Sequence, residues 1–230
     1  MKRRRHSEAH NEIAAGDSPR SGRPESTILL GRLALFFGIA AAGCGIDLWT
    51  KSWIFDRLGN QLVSGGPVRE PWVLIDGILS LETHLNEGAL FGIGQGQITL
   101  FVVLSLFAAL GILAWVLVGG AIRDRMLVVS LGMILGGILG NLYDRLGLAA
   151  TEWGHGLAHH QAGEPVYAVR DWIHFQIRSI GFDWAIFNIA DSLLVVGAAL
   201  LMCHALRQPQ QAAEPAPDVA SAQPASSPVE

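Results

Sequence analysis

Asp191 stands in Phe187-Asn188-Ile189-Ala190-Asp191-Ser192, within a stretch from Trp184 to Met202 that carries no other charge and is long enough to cross a bilayer. A carboxylate at that depth requires a partner, water or a task. One such task is peptide hydrolysis by two carboxyls that share a proton. The ionised member takes a proton from water and the neutral member protonates the carbonyl oxygen, so neither a metal nor a nucleophilic Ser or Cys is needed. Like charges about 3 Å apart resist joint ionisation, which separates the two pKa values and assigns the roles. The second carboxylate must come from another element, and Asp144, Asp171 and Asp183 are the candidates.

His155, His159 and His160 have a spacing that could hold zinc on a helix. Gly154 and Gly156 weaken any helix there, and no acidic base stands between the histidines as it does in the zinc-protease motif. No metal is expected, and chemistry between two carboxyls requires no cofactor. Cys44 and Cys203 fall inside apolar segments, where packing is the expected role.

The elements that must position these groups are membrane helices. Half of the 230 residues are hydrophobic and 16% are charged, with a mean hydropathy of +0.37. Four segments approach the roughly 20 apolar residues that span hydrocarbon, over about 28–49, 98–122, 126–143 and 184–206. Arg32 interrupts the first near its start, from where it can snorkel to headgroups. Gly132, Gly136 and Gly140, beside Gly137, leave one face of the third bare enough for a neighbouring backbone to approach. The third span is therefore expected at the centre of a bundle. Ala41-Ala42-Gly43-Cys44 resembles the lipid-attachment box of a lipoprotein precursor, which would make the first span a cleaved signal. The long polar stretch before it, alanine where leucine is usual, and three later spans argue against that reading.

Residues 1–27 are polar and open on Lys2-Arg3-Arg4-Arg5, and 207–230 are rich in Pro, Ala, Ser and Gln. Both are expected to be disordered. Arg123 and Arg125 occupy the short turn between the second and third spans, so the positive-inside rule puts that turn and both termini in the cytoplasm. Lys51, Arg57, Arg69, Arg145, Arg170 and Arg178 fall in the outer loops, leaving the larger share of Lys and Arg inside. The net charge of -4 gives no sign of a nucleic-acid partner.

That topology brings Asp47 and Lys51, Asn86 and Gly88, Asn141, Asp144 and Arg145, and Asn188 and Asp191 to one outer level. A polar cluster at a shared depth is a site hypothesis by default. Each member also has a plainer reading. Asp47 and Lys51 are four apart and can simply pair, Asp144 and Arg145 can form the polar end of a helix, and Asn141 can join helices.

Asp47-Leu48-Trp49-Thr50-Lys51, Asn86-Glu87-Gly88-Ala89-Leu90-Phe91-Gly92, Gly136 to Arg145, Val169-Arg170-Asp171-Trp172-Ile173 and Phe187 to Ser192, in this order, resemble the motifs of bacterial lipoprotein signal peptidase, or signal peptidase II, from about Leu33 to Leu206. The resemblance implies an all-α integral membrane protein in which a four-helix peptidase unit, 28–206, carries a small extracytoplasmic β-cradle and a short amphipathic surface helix. It implies an aspartic endopeptidase of the bacterial inner membrane, active near the outer face as a monomer in membrane lipid. Its substrates would be diacylglyceryl-modified prolipoproteins, cleaved just before the lipidated cysteine. Asp171 and Asp191 match the family's catalytic aspartates. Asn141, Arg145, Asn188 and Ala190 match residues that line or support the site, with Asp144 beside them. Asp47, Lys51, Asn86 and Gly88 match residues that position substrate or cradle.

Three features depart from the family. The stretch between Arg145 and Asp171 is much longer than usual and holds the histidines. Trp172 replaces a common phenylalanine and Leu48 a usual glutamine, and both ends are extended. If the long insertion displaced Asp171, Asp144 would be its nearest substitute; Asp183 reads as an exposed loop residue. Intramembrane carboxylates also mark ion pathways, so a small proton-coupled transporter is an alternative, but the inner halves of the spans are almost purely apolar. A catalytically dead lipoprotein-binding scaffold is another.

Overall fold

A computed structural model describes residues 24–65, 68–88, 94–156 and 160–207. The two terminal extensions expected to be disordered lie almost wholly outside them. Among the described residues, four helices are long and apolar enough to cross a membrane: α1 (Glu25–Leu58), α2 (Ile98–Leu117), α3 (Arg125–Arg145) and α4 (Ile189–Arg207). Strands β1 (Trp72–Ile75), β2 (Leu79–Asn86), β3 (Val169–Ile177) and β4 (Phe182–Asp183) form an antiparallel sheet in that order.

α3 is the centre of the packing. Most of its apolar window is buried, 61%, against 11–17% for the other three, and it touches α1, α2 and α4. Its glycines explain the closeness. A Cβ on Gly136 would stand 2.9 Å from the Ala40 carbonyl oxygen, and one on Gly137 would stand 2.5 Å from that of Ala190. Phe36, Ala40, Val116, Val128, Leu131 and Leu135 fill the apolar core between these helices. At the far end from the sheet, Asp124 caps α3 by accepting from the backbone N–H groups of Met126 and Leu127. Arg32 donates to the carbonyls of Ile122 and Arg123 in the same turn.

The helix bounds differ from those expected at both ends of the chain. α1 continues past residue 49 to Leu58, because Asp47 and Lys51 are paired and buried and do not interrupt it. At 1.5 Å per residue its 34 residues reach about 51 Å, well beyond a hydrocarbon core of about 30 Å. The surplus turns carry Trp49 and Trp53, stacked at 6.4 Å and exposed as residues of an interfacial aromatic belt are. α4 starts at Ile189, not at 184, because the chain before it is extended and Phe187 bridges to Ile173.

α1 runs unbroken through Ala41-Ala42-Gly43-Cys44, with Gly43 packed on Leu193 of α4, so this segment is an integral part of the fold. Cys44 is only partly buried and Cys203 is exposed, so the latter faces outward and does not pack in the core. Among the described residues there is no short amphipathic surface helix. Outside the four helices only single 3-10 turns occur, at Ala121–Arg123 and Arg178–Ile180. Residues 89–93 lie outside the described set.

Candidate active site

Neighbouring residues of a strand face opposite ways, and β3 uses this to separate Arg170 from Asp171. Asp171 is fully buried opposite His84 of β2. Its carboxylate accepts from the Asn86 side-chain amide at 3.0 Å and from that of Asn188 at 2.5 Å. Burial, followed by the nearby negative charge of Asp191, pushes the Asp171 carboxyl up to about 7, against the hydrogen bonds from Asn86 and Asn188.

Asp191 lies in the first turn of α4, where the exposed N–H groups favour a negative charge. The local sequence dictates the geometry. The Asn188 Oδ1 accepts the Asp191 N–H at 2.9 Å and the Asp191 Oδ2 accepts the Asn188 N–H at 3.2 Å, a reciprocal cap across three residues. The other Asp191 oxygen accepts from the Asn141 amide of α3 at 2.8 Å. Asn188 also donates to Asn141 Oδ1 at 3.1 Å, so two asparagines tie the two aspartates into one unit.

Beneath this unit lies a buried ionic layer. The Lys51 ammonium, with no exposure, sits 2.7 Å from Asp47, 3.1 Å from Asp144 and 2.9 Å from Asn141 Oδ1. Asp47 accepts the backbone N–H of Ala190 at 2.8 Å, which fixes the start of α4 against α1. Asp47 and Lys51 do pair as four-apart neighbours, but inside the protein and in a network joining α1, α3 and α4.

Asp144 makes no direct hydrogen bond or ion pair with Asp191 or Asp171 among the described residues. It is buried against Lys51 and against Arg170, whose guanidinium binds it at 2.8 and 2.9 Å and whose backbone N–H donates to it at 3.1 Å. Two cations and a backbone donor occupy it. Asp183 is exposed, as expected, but belongs to β4, where it accepts from His174 at 2.7 Å.

Arg145 donates to the Gly88 carbonyl at 2.9 Å and lies over the Phe101 ring at 5.1 Å; its buried Nε has no hydrogen-bond partner among the described residues. Asp171, Asp191, Asn141, Asn86, Arg145 and Gly88 line one cavity of about 210 Å³, with Leu194 and Val195 also on its wall. A larger cavity of about 590 Å³ beside the end of α1 has Arg170 on its wall but neither Asp171 nor Asp191.

Every residue expected at the site from the sequence is thus brought together. Arg170 falls within the same motif as Asp171, and the sequence assigns it no role. Its signal was its place next to Asp171 on a strand, which turns it to the opposite face. Among the described residues no group of three or more His, Cys, Asp or Glu is placed to hold a metal ion. His155 is exposed, His159 lies outside the described residues, and His160 binds Glu87.

A family model described as signal peptidase (SPase) II matches residues 39–207. The lipoprotein signal peptidase of Rhodopirellula baltica is 45% identical over 172 residues, covering 74% of this chain and 71% of its own. That of Geobacillus thermodenitrificans is 33% identical over 175 residues, covering 75% and 90%. A bacterial membrane enzyme solved by the in meso method at 2.3 Å resolution shares the fold. It has a TM-score of 0.55 at 23% identity, over 82% of this chain and 96% of that one.

Proposed function

This chain belongs to the signal peptidase II family, and on that premise we propose that it is an aspartic endopeptidase that removes signal peptides from diacylglyceryl-modified prolipoproteins, with Asp171 and Asp191 as its catalytic residues. Its four apolar helices make a member of this family a multi-pass membrane protein. The proposal extends to the bacterial inner membrane, with residues 28–206 as a four-helix peptidase unit, both termini in the cytoplasm and the site near the outer face.

The observation that carries the reading is the pair of aspartates on one small cavity, joined through Asn141 and Asn188. Asp171, with its carboxyl raised to about 7, would hold the proton and deliver it to the scissile carbonyl oxygen. Asp191 would take a proton from the attacking water. Arg145, with its free Nε, and the Gly88 backbone would orient the substrate chain. Asp47, Lys51, Asp144 and Ala190 would act from beneath, by keeping Asn141 and the start of α4 in place. The acyl chains would remain in lipid and supply binding energy remote from the reacting bond.

A proton-coupled transporter requires polar groups through the membrane thickness. In the described helices the buried polar side chains gather at one end. Ser130, the exception, is satisfied within its own helix by the Met126 carbonyl.

The test is cleavage of a diacylglyceryl-modified precursor in detergent by wild type, Asp171→Asn, Asp191→Asn and Asp144→Asn, with a metal chelator in parallel. Loss of cleavage in the first two variants, both still folded, with no effect of chelator, is the expected result. Asp144→Asn is expected to lower thermal stability as well, since it weakens a buried ionic layer. Normal turnover by Asp171→Asn refutes the dyad. No cleavage of several lipidated precursors by wild type refutes the peptidase reading and favours a lipoprotein-binding scaffold.

A further inference from the structure

The stretch between Arg145 and Asp171 is not a loose addition. Trp153 is almost wholly buried with Val166 and Ala168, against Leu62 and Leu85. Its backbone N–H donates to the Glu164 carbonyl at 2.9 Å, and its carbonyl accepts from Gly163 at 2.8 Å. The segment 152–154 also pairs with 62–64, through Ser64 N–H to Glu152 and Gly154 N–H to Leu62. A Cβ on Gly154 would stand 3.0 Å from the backbone of Val63 and Ser64, so that contact is close. The insertion is thereby anchored to the chain that follows α1 and to β2.

From this anchor one side chain reaches the active-site loop. The His160 ring stacks on Trp153, 4.4 Å between centroids and 10° from parallel. Its Nε2 donates to the Glu87 carboxylate at 2.5 Å, with both side chains about four-fifths covered. Glu87 stands between two residues that touch the site. Asn86 uses one end of its amide to hold Asp171 and the other to accept the Gly88 N–H at 3.0 Å, and the Gly88 carbonyl holds Arg145. A shift of Glu87 therefore moves a hydrogen-bond partner of each.

The geometry points to His160 as a positioning residue: it clasps Glu87 so that Asn86 and Gly88 keep Asp171 and Arg145 in place. The inference rests on the proposed peptidase reading. It gives the insertion a role in the reaction that its position on the surface alone does not.

His160→Ala, His160→Gln, Glu87→Gln and the double variant His160→Ala/Glu87→Gln are compared with wild type on a diacylglyceryl-modified precursor, with kcat and KM measured separately. His160→Ala is expected to lower kcat on the order of tenfold, part of the hundredfold that a displacement of about 1 Å can cost, with KM and melting temperature unchanged. His160→Gln keeps a donor and recovers most of the rate. In the Glu87→Gln background the alanine change adds little. An unchanged kcat in His160→Ala, or losses that multiply in the double variant, overturns the clasp. Amide exchange at Gly88 gives a readout that needs no turnover: it should quicken in His160→Ala, and unchanged protection overturns the proposal. If wild type cleaves nothing, the peptidase reading fails, and the exchange result alone decides whether His160 holds the loop.

Discussion

Gly137→Ala adds one methyl group at the seam between α3 and α4. The new Cβ would lie 2.5 Å from the Ala190 carbonyl oxygen and 2.9 Å from the Leu194 Cγ. Leu194 can rotate away, but the carbonyl is backbone. Ordinary contact begins near 3.4 Å, so the start of α4 must retreat by close to 1 Å. Asp191 follows Ala190 directly, and a retreat of that size stretches its 2.8 Å bond from Asn141 beyond hydrogen-bonding range. A displacement of about 1 Å at a reacting group can cost on the order of a hundredfold in rate, and overpacking costs about 1–3 kcal/mol of stability. The assay is cleavage of a lipidated precursor, read beside the melting temperature in the same detergent. Gly111→Ala on α2 is the control, because nothing lies within 4 Å of its added methyl. If Gly137→Ala cleaves as well as Gly111→Ala, α4 is not held by this contact and the close-approach reasoning is refuted.

Two further outcomes follow from the buried charges. Asp171 keeps its proton up to about pH 7 in the folded protein, against an ordinary value of 3.8. The stability this contributes is fully present below about pH 3.8, declines as pH rises from there and is gone once pH has passed through about 7, whereas kcat should fall only as pH rises past about 7 and the acid ionises. A pH series of melting temperature and kcat checks both, and Asp171→Asn should flatten the stability profile. Lys51→Met leaves Asp47 without a cation in a buried site, which should cost about 3–5 kcal/mol in unfolding measurements. A melting temperature equal to wild type would show that the Asp47 charge is met in another way.

The apolar spans were legible because hydrocarbon imposes a length and a composition that few other settings do. Their ends were not. Asp47 and Lys51 looked like a boundary, and only the partners supplied by α3 and α4 let α1 continue through them. The residues from 184 to 188 looked as apolar as the helix they precede, yet they pair with β3. The candidate residues could be named from their motifs, and the structure joins them in one network of contacts. What the sequence could not convey was direction. Asp144, a possible substitute for Asp171, is turned onto Lys51 and Arg170, while the alternation of a strand keeps Asp171 on the other side. The sheet itself was expected from resemblance, since its strands are short and their pairing is remote in the chain. The contact of His160 with Glu87 spans 73 residues and has no local signature.

The order of the chain gives the site a timetable. During synthesis α1, β2, α3 and β3 emerge before Ile189, and with them Asp171, Asn86, Asn141 and Lys51. Asp191 arrives only with α4, which also delivers the Ala190 N–H that Asp47 accepts, and Asn188, which spans both aspartates, comes just ahead of it. A nascent chain halted before α4 carries one carboxyl of the proposed pair and so lacks the chemistry. On the proposed mechanism, cleavage therefore cannot begin before α4 has been made.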